Sequence, residues 1–339
     1  MPTDNQPKRL TTGVNLAVLR GFVLAAAVAF AGGGSLAEDN YPSRTVKVIV
    51  PFPAGGPGDV IARAAANALK DELKQTIIVE NMPGAGGTIG ARAVANAKPD
   101  GYTLLATSAS TQAIAPALSK TQPFDPVKDF APVSMLANSV FVVVVHPSVP
   151  AKTLTEFVLA AKARPGAMNY PSSGNGSLIH LAGLQFQALS GAQLTHVPYK
   201  GAQPAMMDLV GGLLQIQFAE LGGVLPFIKS AQVRALAVMA PRRVAELPDV
   251  PTAAEAGMPE LEVPGWFALF APSKTPKPVL QTLARATAIA MQSPEAVARM
   301  RGIGIQVLAG DGDAVRKRVE EDYQRMGELI RKAGLKATE

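Results

Sequence analysis

The sequence contains no cysteine among its 339 residues. This absence excludes disulfide bonds, catalytic thiols, cysteine-ligated zinc and iron–sulfur clusters. The folded chain must therefore be stabilised by its hydrophobic core. A sizeable core is feasible, since 48% of the residues are hydrophobic and 17% are charged, a composition typical of folded globular proteins.

Aromatic residues and clustered charges are also scarce. Phe, Trp and Tyr together make up 5% of the chain, and Trp266 is the single tryptophan. The formal net charge is +6, but the basic residues are scattered and no run of five or six occurs. Because nucleic-acid-binding surfaces combine basic patches with interleaved aromatic rings, we expect no nucleic-acid partner.

Motifs that would indicate catalysis, a metal or a nucleotide are missing. The chain has no G-x-x-x-x-G-K-[ST], G-x-S-x-G, H-E-x-x-H or EF-hand loop. The segment GAGGTIG (84–90) is similar to a dinucleotide fingerprint, but Ile89 occupies the position where the last glycine is required. The three histidines, His146, His180 and His196, are far apart in sequence. We therefore expect no cofactor, no metal and no enzymatic activity.

The N-terminus differs in character from the remainder of the chain. It carries Lys8, Arg9 and Arg20, then the short apolar run GFVLAAAVAFA (21–31), then GGGSLA with small residues at Ser35 and Ala37. This order predicts a cleavable signal peptide over residues 1–37, cut after Ala37, and hence an exported protein. The alternative is an uncleaved membrane anchor, which the shortness of the apolar run disfavours.

Strand-like and helix-like segments alternate along the remaining chain. VKVIV (46–50) precedes a helical pattern over 60–73, and TIIVE (76–80) precedes a second helix from about residue 88 to 97. This alternation favours an α/β fold with mostly parallel sheets. In FVVVV (141–145) the β-branched run is continuous, as expected for a strand covered on both faces.

The chain shows no linker, so two lobes connected by crossing strands are the simplest organisation. FVVVV and WFALFAP (266–272) are the best candidates for the crossings. We predict one lobe from residues 38–142 and 263–339 and a second from 143–262. In the last helix, one apolar face is predicted to pack on the core; it comprises Val315, Val319, Tyr323, Met326 and Ile330.

Three glycine-rich loops each connect a strand-like segment to a helix-like one: PFPAGGPGD (51–59), NMPGAGGTIG (81–90) and PSSGNGS (171–177). A helix N-terminus offers unpaired backbone N–H groups and partial positive charge, and glycines allow an anion to approach closely. Each loop alone is equally consistent with a tight connection. Together they predict a cleft that binds an anionic small molecule through backbone donors. We also expect Asp59 to be the N-cap of the first helix.

A set of ordered motifs resembles a known family. The set comprises YPSRTVKVIVPFPAGGPGDVIAR, IIVENMPGAGGTIGARAVANAKPDGYTLL, NYPSSGNGS with a following histidine, HVPYKGAQPAMMDLVGG, VRALAVMA, LPDVPTAAEAGMP and GWFALFAP. Together they resemble the Bug (TctC-like) extracytoplasmic solute receptors of tripartite tricarboxylate transporters. The resemblance extends from about Tyr41 to the last helix.

This resemblance implies a type II periplasmic-binding-protein fold, with two hinged lobes that hold a carboxylate-bearing ligand. By motif match, one carboxylate would be held by the first loop (Phe52, Ala54, Gly55, Gly56, Asp59) and the second (Gly86, Gly87, Thr88). The rest of the ligand would meet Thr107, Ser108, Ser110, Ser173, Asn175, Ser177, His180 and Tyr199. For His180, a purely structural role at a helix start is an equal alternative.

Two positions depart from the family pattern. Gly58 stands where members often carry a threonine or serine, so one hydroxyl donor is missing. Ala219 stands where many members have an acidic residue, and Glu220 follows it. We therefore expect an amino-acid ligand to be disfavoured, unless Glu220 takes over that role through a shifted strand.

The sequence is thus interpreted as a periplasmic receptor, expected to be monomeric, that captures a small organic carboxylate and delivers it to the large and small membrane subunits of a transporter. Two alternatives remain at this point. One is a ligand sensor that reports to a signalling partner, and the other is an exported enzyme acting on a carboxylate.

Overall fold

The computed structural model describes Met1 and residues 41–119, 121–199, 202–263, 265–302 and 304–335. The chain divides into two units, Met1–Tyr41 and Pro42–Glu339, and every element below belongs to the second. The predicted signal peptide lies outside the described residues.

Eleven strands are formed in the described residues. They are β1 (Val46–Val50), β2 (Ile77–Asn81), β3 (Thr103–Ser108), β4 (Phe130–Ser139), β5 (Phe141–Val145), β6 (Asn169–Ser172), β7 (Thr195–Pro198), β8 (Ile216–Glu220), β9 (Arg234–Met239), β10 (Trp266–Pro272) and β11 (Ile305–Gly310).

Ten α-helices accompany these strands in the same residues. They are α1 (Pro57–Leu73), α2 (Thr88–Ala95), α3 (Ala115–Leu118), α4 (Leu154–Ala163), α5 (Leu178–Ser190), α6 (Ala202–Val210), α7 (Leu221–Lys229), α8 (Lys277–Met291), α9 (Pro294–Gly302) and α10 (Gly312–Lys332). A 3₁₀ turn over Ala85–Gly87 leads into α2, and a π-helical turn over Ser110–Ile114 leads into α3. No helix of the described residues combines the length and apolar character needed to cross a membrane.

The larger sheet has six strands in the order β11-β4-β10-β3-β1-β2. Strands β1, β2 and β3 run parallel, as the alternation of strands and helices predicts. Strands β4, β10 and β11 pair antiparallel with their neighbours. The sheet is therefore mixed, and the prediction of mostly parallel sheets is wrong, because helical crossovers join only the first three strands.

The second group of strands forms a three-stranded antiparallel sheet, β8-β5-β9, and a parallel pair, β6-β7. All five residues of β5 are buried, which confirms that FVVVV is covered on both faces. It is nevertheless the centre of an antiparallel sheet rather than a parallel one.

The chain passes between the two sheets at two adjacent places. Strand β4 ends at Ser139 in the large sheet and β5 begins at Phe141 in the small one, so Val140 is the only residue between them. The return to the large sheet ends at Gly265, whose carbonyl accepts a hydrogen bond of 2.8 Å from Ser139 N. These passages lie beside the two predicted crossing segments, and the exact lobe boundaries stay a prediction.

Helix α10 packs on the core as predicted. Val315, Val319, Met326 and Ile330 are buried, while Tyr323 is partly exposed. The same face also buries a charged residue, Asp322, which the sequence pattern did not indicate.

Candidate functional site

A cleft with a volume of about 1130 Å³ opens between segments of both strand groups. Its walls are the loops after β1 and β2, the segment after β3, the loop between β6 and α5, and the two passages between the sheets. All three predicted glycine-rich loops therefore face one space, although the third begins about eighty residues after the end of the second in sequence.

The first loop ends in a helix that has no side-chain cap. The N-cap of α1 is Gly56, and the prediction that Asp59 is the N-cap is wrong. Pro57 begins the helix because its fixed φ suits the first helical position. The uncapped N-terminus directs partial positive charge towards the cleft, where Gly56 and Gly58 form part of the wall.

Asp59 instead holds the loop together from inside. Asp59 is 3% exposed. Its carboxylate accepts hydrogen bonds from Gly55 N and Asn81 Nδ2, both at 2.9 Å, and from Arg63 Nε at 3.0 Å. Burial raises the pKa of Asp59, but these hydrogen bonds and the Arg63 charge outweigh it and hold the pKa below its ordinary value. Asp59 is thus a negative charge that shapes the loop without lining the cleft.

The second loop has an unusual backbone. Four consecutive residues, Gly84 to Gly87, have positive φ angles, and Gly87 at +93° is the N-cap of α2. Thr111 fixes this turn by donating a hydrogen bond of 3.1 Å from Oγ1 to Gly86 O. A Cβ at Gly87 would collide with the Thr111 side chain, so glycine is required there. Like α1, helix α2 begins without a side-chain cap.

The third loop is supported from beneath by two histidines. Gly176 N donates to His180 Nδ1 at 3.0 Å, so the neutral ring of His180 carries its proton on Nε2. The His196 ring stacks on His180 with centroids 3.9 Å apart, and its Nε2 lies 2.7 Å from Ser172 Oγ. Burial and the neighbouring His196 lower the pKa of His180 to about 4. His180 is 4% exposed and does not line the cleft, which favours its structural role.

The structure brings eleven of the predicted ligand-binding residues to the cleft wall. They are Phe52, Gly56, Gly86, Gly87, Thr88, Ser108, Ser110, Ser173, Asn175, Ser177 and Glu220. Seven others do not line it: Ala54, Gly55, Asp59, Thr107, His180, Tyr199 and Ala219. Several of these residues support the wall from behind. They were included in the prediction because a sequence motif contains both the lining and the supporting residues of a loop.

Tyr199 and Thr107 illustrate the second group. The Tyr199 hydroxyl donates to Asp208 Oδ2 at 2.6 Å, and burial together with this acceptor raises the pKa of Tyr199 to about 12. Thr107 is fully buried, and its Oγ1 has no hydrogen-bond partner among the described residues.

Strand β8 presents Glu220, not Ala219, to the cleft. Ala219 is 2% exposed and packs in an apolar cluster with Val142 and Val224, whereas Glu220 lies in the cleft wall. Burial raises the pKa of Glu220. Of the two alternatives that the sequence left open, the structure favours the one in which Glu220, one residue after Ala219, is the acidic residue beside the cleft.

Sequence analysis missed the apolar part of the wall. Phe141 and Phe267 line the cleft, as do Ile114, Leu118 and Leu178. The rings of Phe52 and Phe267 meet edge to face at 6.5 Å. A Cβ at Gly58 would lie 2.6 Å from Phe52 Cδ2, so the missing side chain at Gly58 makes room for the ring. The sequence feature that could have identified Phe141 and Phe267 as lining residues was their position at the starts of the crossing segments.

The described residues contain no group of three or more His, Cys, Asp or Glu side chains that could hold a metal ion. Within the described wall, the side chains are apolar or carry hydroxyl and amide groups, with Glu220 as the single ionisable one. This lining suits a small organic anion whose charge is met by backbone donors.

Comparison with known proteins identifies relatives over most of the chain. Residues 61–335 match the profile of the tripartite tricarboxylate transporter family receptor. Protein BugT of Bordetella pertussis is 36% identical over 322 residues, which cover 95% of this chain and 98% of BugT.

Solved structures show the same similarity. MatC from Rhodopseudomonas palustris with bound malate is 33% identical with a TM-score of 0.72, covering 86% of this chain and 100% of MatC. A second R. palustris protein, solved with adipate, is 31% identical with a TM-score of 0.75, covering 87% of this chain and 98% of its own. These relatives share a two-lobe, type II-like architecture of mixed sheets and helices. The chain therefore belongs to the family of tripartite tricarboxylate transporter receptors, the Bug or TctC-like periplasmic solute-binding proteins.

Proposed function

We propose that this protein captures a small organic carboxylate in the cleft and delivers it to a tripartite tricarboxylate-type membrane transporter. The observation that carries the proposal is the convergence of two uncapped helix N-termini, those of α1 and α2, on one cleft. Neither N-terminus is capped by a side chain, and each carries partial positive charge. The malate and adipate bound by two structural relatives support a carboxylate as the ligand class.

In this proposal the cleft closes around its ligand. The lobes would be residues 38–142 with 263–339 and residues 143–262, turning about the passages at Val140 and Gly265. Loops one and two, on the first lobe, would hold the carboxylate. The loop at Ser173, Asn175 and Ser177, on the second lobe, would reach the ligand only on closure, so binding would favour the closed state through contacts that the open state lacks.

The mature protein would act in the periplasm, as its relatives do, after removal of residues 1–37. It would work as a monomer, and the closed form would be recognised by the large and small membrane subunits of the transporter. No histidine lines the cleft within the described residues, and no hydrogen bond there joins a lining serine to Glu220, so a binding role fits the wall better than hydrolysis.

A thermal-shift screen tests this function. The mature protein is unfolded, stripped of endogenous ligand, refolded and screened against mono-, di- and tricarboxylates, with neutral sugars and amines as controls. A carboxylate at a hundred times its Kd should add about 2.7 kcal/mol and raise Tm by about 4 °C. Stabilisation by a sugar or an amine, with none by any acid, would contradict the proposal.

A further inference from the structure

We propose that Glu220 and Ser139 select the far end of the ligand, favouring carboxylates whose other end is a cationic or neutral hydrogen-bond donor over dicarboxylates. This inference rests on the proposed binding of one carboxylate at the helix N-termini. It assigns a substrate class to the cleft and roles to two residues in its wall.

The side chain of Glu220 lies in the cleft wall and has no bonding partner in the described fold. It is the last residue of β8 and the N-cap of α7, yet its side chain does not cap that helix. No cation lies within 4.0 Å of its carboxylate, and no hydrogen bond to that carboxylate is formed, anywhere in the described chain.

Two other poorly exposed carboxylates, those of Asp59 and Asp322, are paired with hydrogen-bond donors. Asp59 accepts hydrogen bonds from three residues, and Asp322 also accepts from three. A buried carboxylate is costly unless it is paired in this way. The raised pKa of Glu220 reflects the same cost, which a donor on the ligand would remove.

Ser139 provides a second unused polar group at the same place. Its residue is 5% exposed, its Oγ has no hydrogen-bond partner among the described residues, and it lines the cleft. Leu221 N donates a backbone hydrogen bond to Val140 O at 2.8 Å. Ser139 directly precedes Val140 and Glu220 directly precedes Leu221, so both residues adjoin this hydrogen bond. The hydroxyl can accept from a ligand donor or donate to Glu220.

The charges of the wall decide which ligand end fits. Within the described wall, no Lys, Arg or His is present and Glu220 is the only ionisable side chain. A second ligand carboxylate would therefore meet a like charge with no cation to offset it, unless a proton were taken up with the ligand. An ammonium, amide or hydroxyl group would instead pair with Glu220 and satisfy it. The remaining wall, with Phe141 and Phe267, suits an apolar body between the two ends.

Calorimetry with matched ligand pairs tests the inference. The stripped, refolded protein is titrated with γ-aminobutyrate against succinate, δ-aminovalerate against glutarate, and ε-aminocaproate against adipate. We expect the amino acid of the best-fitting length to bind at least about tenfold tighter than its dicarboxylate partner. In the Glu220→Gln variant this ratio should fall about tenfold or reverse. The exposed Glu328→Gln variant is the matched control and should keep the wild-type ratio.

The outcomes separate this inference from the proposed function. If dicarboxylates bind tighter than their amino partners in the wild type, or if Glu220→Gln leaves the ratio unchanged, the inference is wrong while carboxylate binding stands. If none of these six acids binds while another carboxylate stabilises the protein in the thermal-shift screen, the inference is wrong and the proposed function stands. If no carboxylate acts in either experiment, both are wrong.

Discussion

Replacing Asp322 by alanine should destabilise the protein by about 3–5 kcal/mol, although the residue does not line the cleft. Its carboxylate is 2% exposed and accepts hydrogen bonds of 2.7 Å from Trp266 Nε1, Arg318 Nε and an Arg325 guanidinium nitrogen. It thereby ties α10 to the first residue of β10, directly beside the passage between the sheets.

The magnitude follows from what alanine leaves behind. Trp266 is 2% exposed, so its indole N–H would lose its acceptor out of reach of water, at a cost of about 1–3 kcal/mol. Arg318 and Arg325 are each one-third exposed and keep Glu262 at 3.3 and 3.9 Å, so they add the smaller share. Asp322→Asn retains an acceptor for the indole but no charge, and should cost about half as much.

Urea unfolding measures this directly, because Trp266 is the only tryptophan and its fluorescence reports its own burial. Circular dichroism recorded in parallel shows whether the fluorescence change reports unfolding of the whole protein or only a local change around Trp266. Asp71→Ala, at an exposed position of α1, is the control and should change stability by less than about 0.5 kcal/mol. A loss below about 1 kcal/mol for Asp322→Ala, or equal losses for the alanine and asparagine variants, would refute the reasoning.

Three further predictions concern the loops. Asp59→Ala should cost about 2 kcal/mol in urea unfolding and weaken carboxylate binding. Because the pKa of Asp59 is lowered in the fold, its contribution should be present above about pH 3.9 and disappear as the pH falls through the folded pKa; a wild-type acid profile in Asp59→Ala would count against this. Gly87→Val should lower Tm sharply, since φ is +93° and a Cβ would lie 3.1 Å from Thr111 Cγ2; a wild-type Tm in this variant would contradict the requirement for glycine there. His180 is neutral in the fold with a pKa of about 4, below its unfolded value near 6.5, so its contribution should be complete above pH 6.5 and fall towards pH 4; His180→Phe should flatten this part of the stability profile, and an unchanged slope would argue against the assignment.

The fold was predictable where local patterns determine it. The capping residue Thr153 accepts from Glu156 N at 3.1 Å as its spacing indicates, and the apolar face of α10 packs as its period indicates. Strand direction was not predictable for β4, β10 and β11, because their pairing depends on how the chain returns from the other sheet. The hydrophobic pattern of a strand does not indicate which distant strand it pairs with or in which direction.

The site was predictable in its loops and less so in its side chains. Glycines before helices mark N–H donors, and all three loops face the cleft. Which face Glu220 takes depends on the register of β8 against β5, where Glu220 lies opposite Phe141. A shift of one residue would exchange Ala219 and Glu220, so the sequence motif alone could not decide between them. Asp59 was misplaced because an aspartate before a helix is a common N-cap, whereas Gly56 and Pro57 begin this helix earlier.

The most direct test of the account is the carboxylate affinity of Gly56→Val, measured by calorimetry on stripped and refolded protein. Gly56 has φ −76°, and a Cβ there would meet only Pro53 O, at an ordinary 3.5 Å, so the backbone and the space around Cβ accept a side chain at the uncapped start of α1. Gly302→Val, with no atom within 4 Å of its Cβ, is the matched control. We predict that Gly56→Val folds with a near-wild-type Tm and loses at least about a hundredfold in affinity, while Gly302→Val binds as the wild type does. A folded Gly56→Val variant that binds its carboxylate within about twofold of wild type would contradict the claim that backbone donors at this helix hold the ligand.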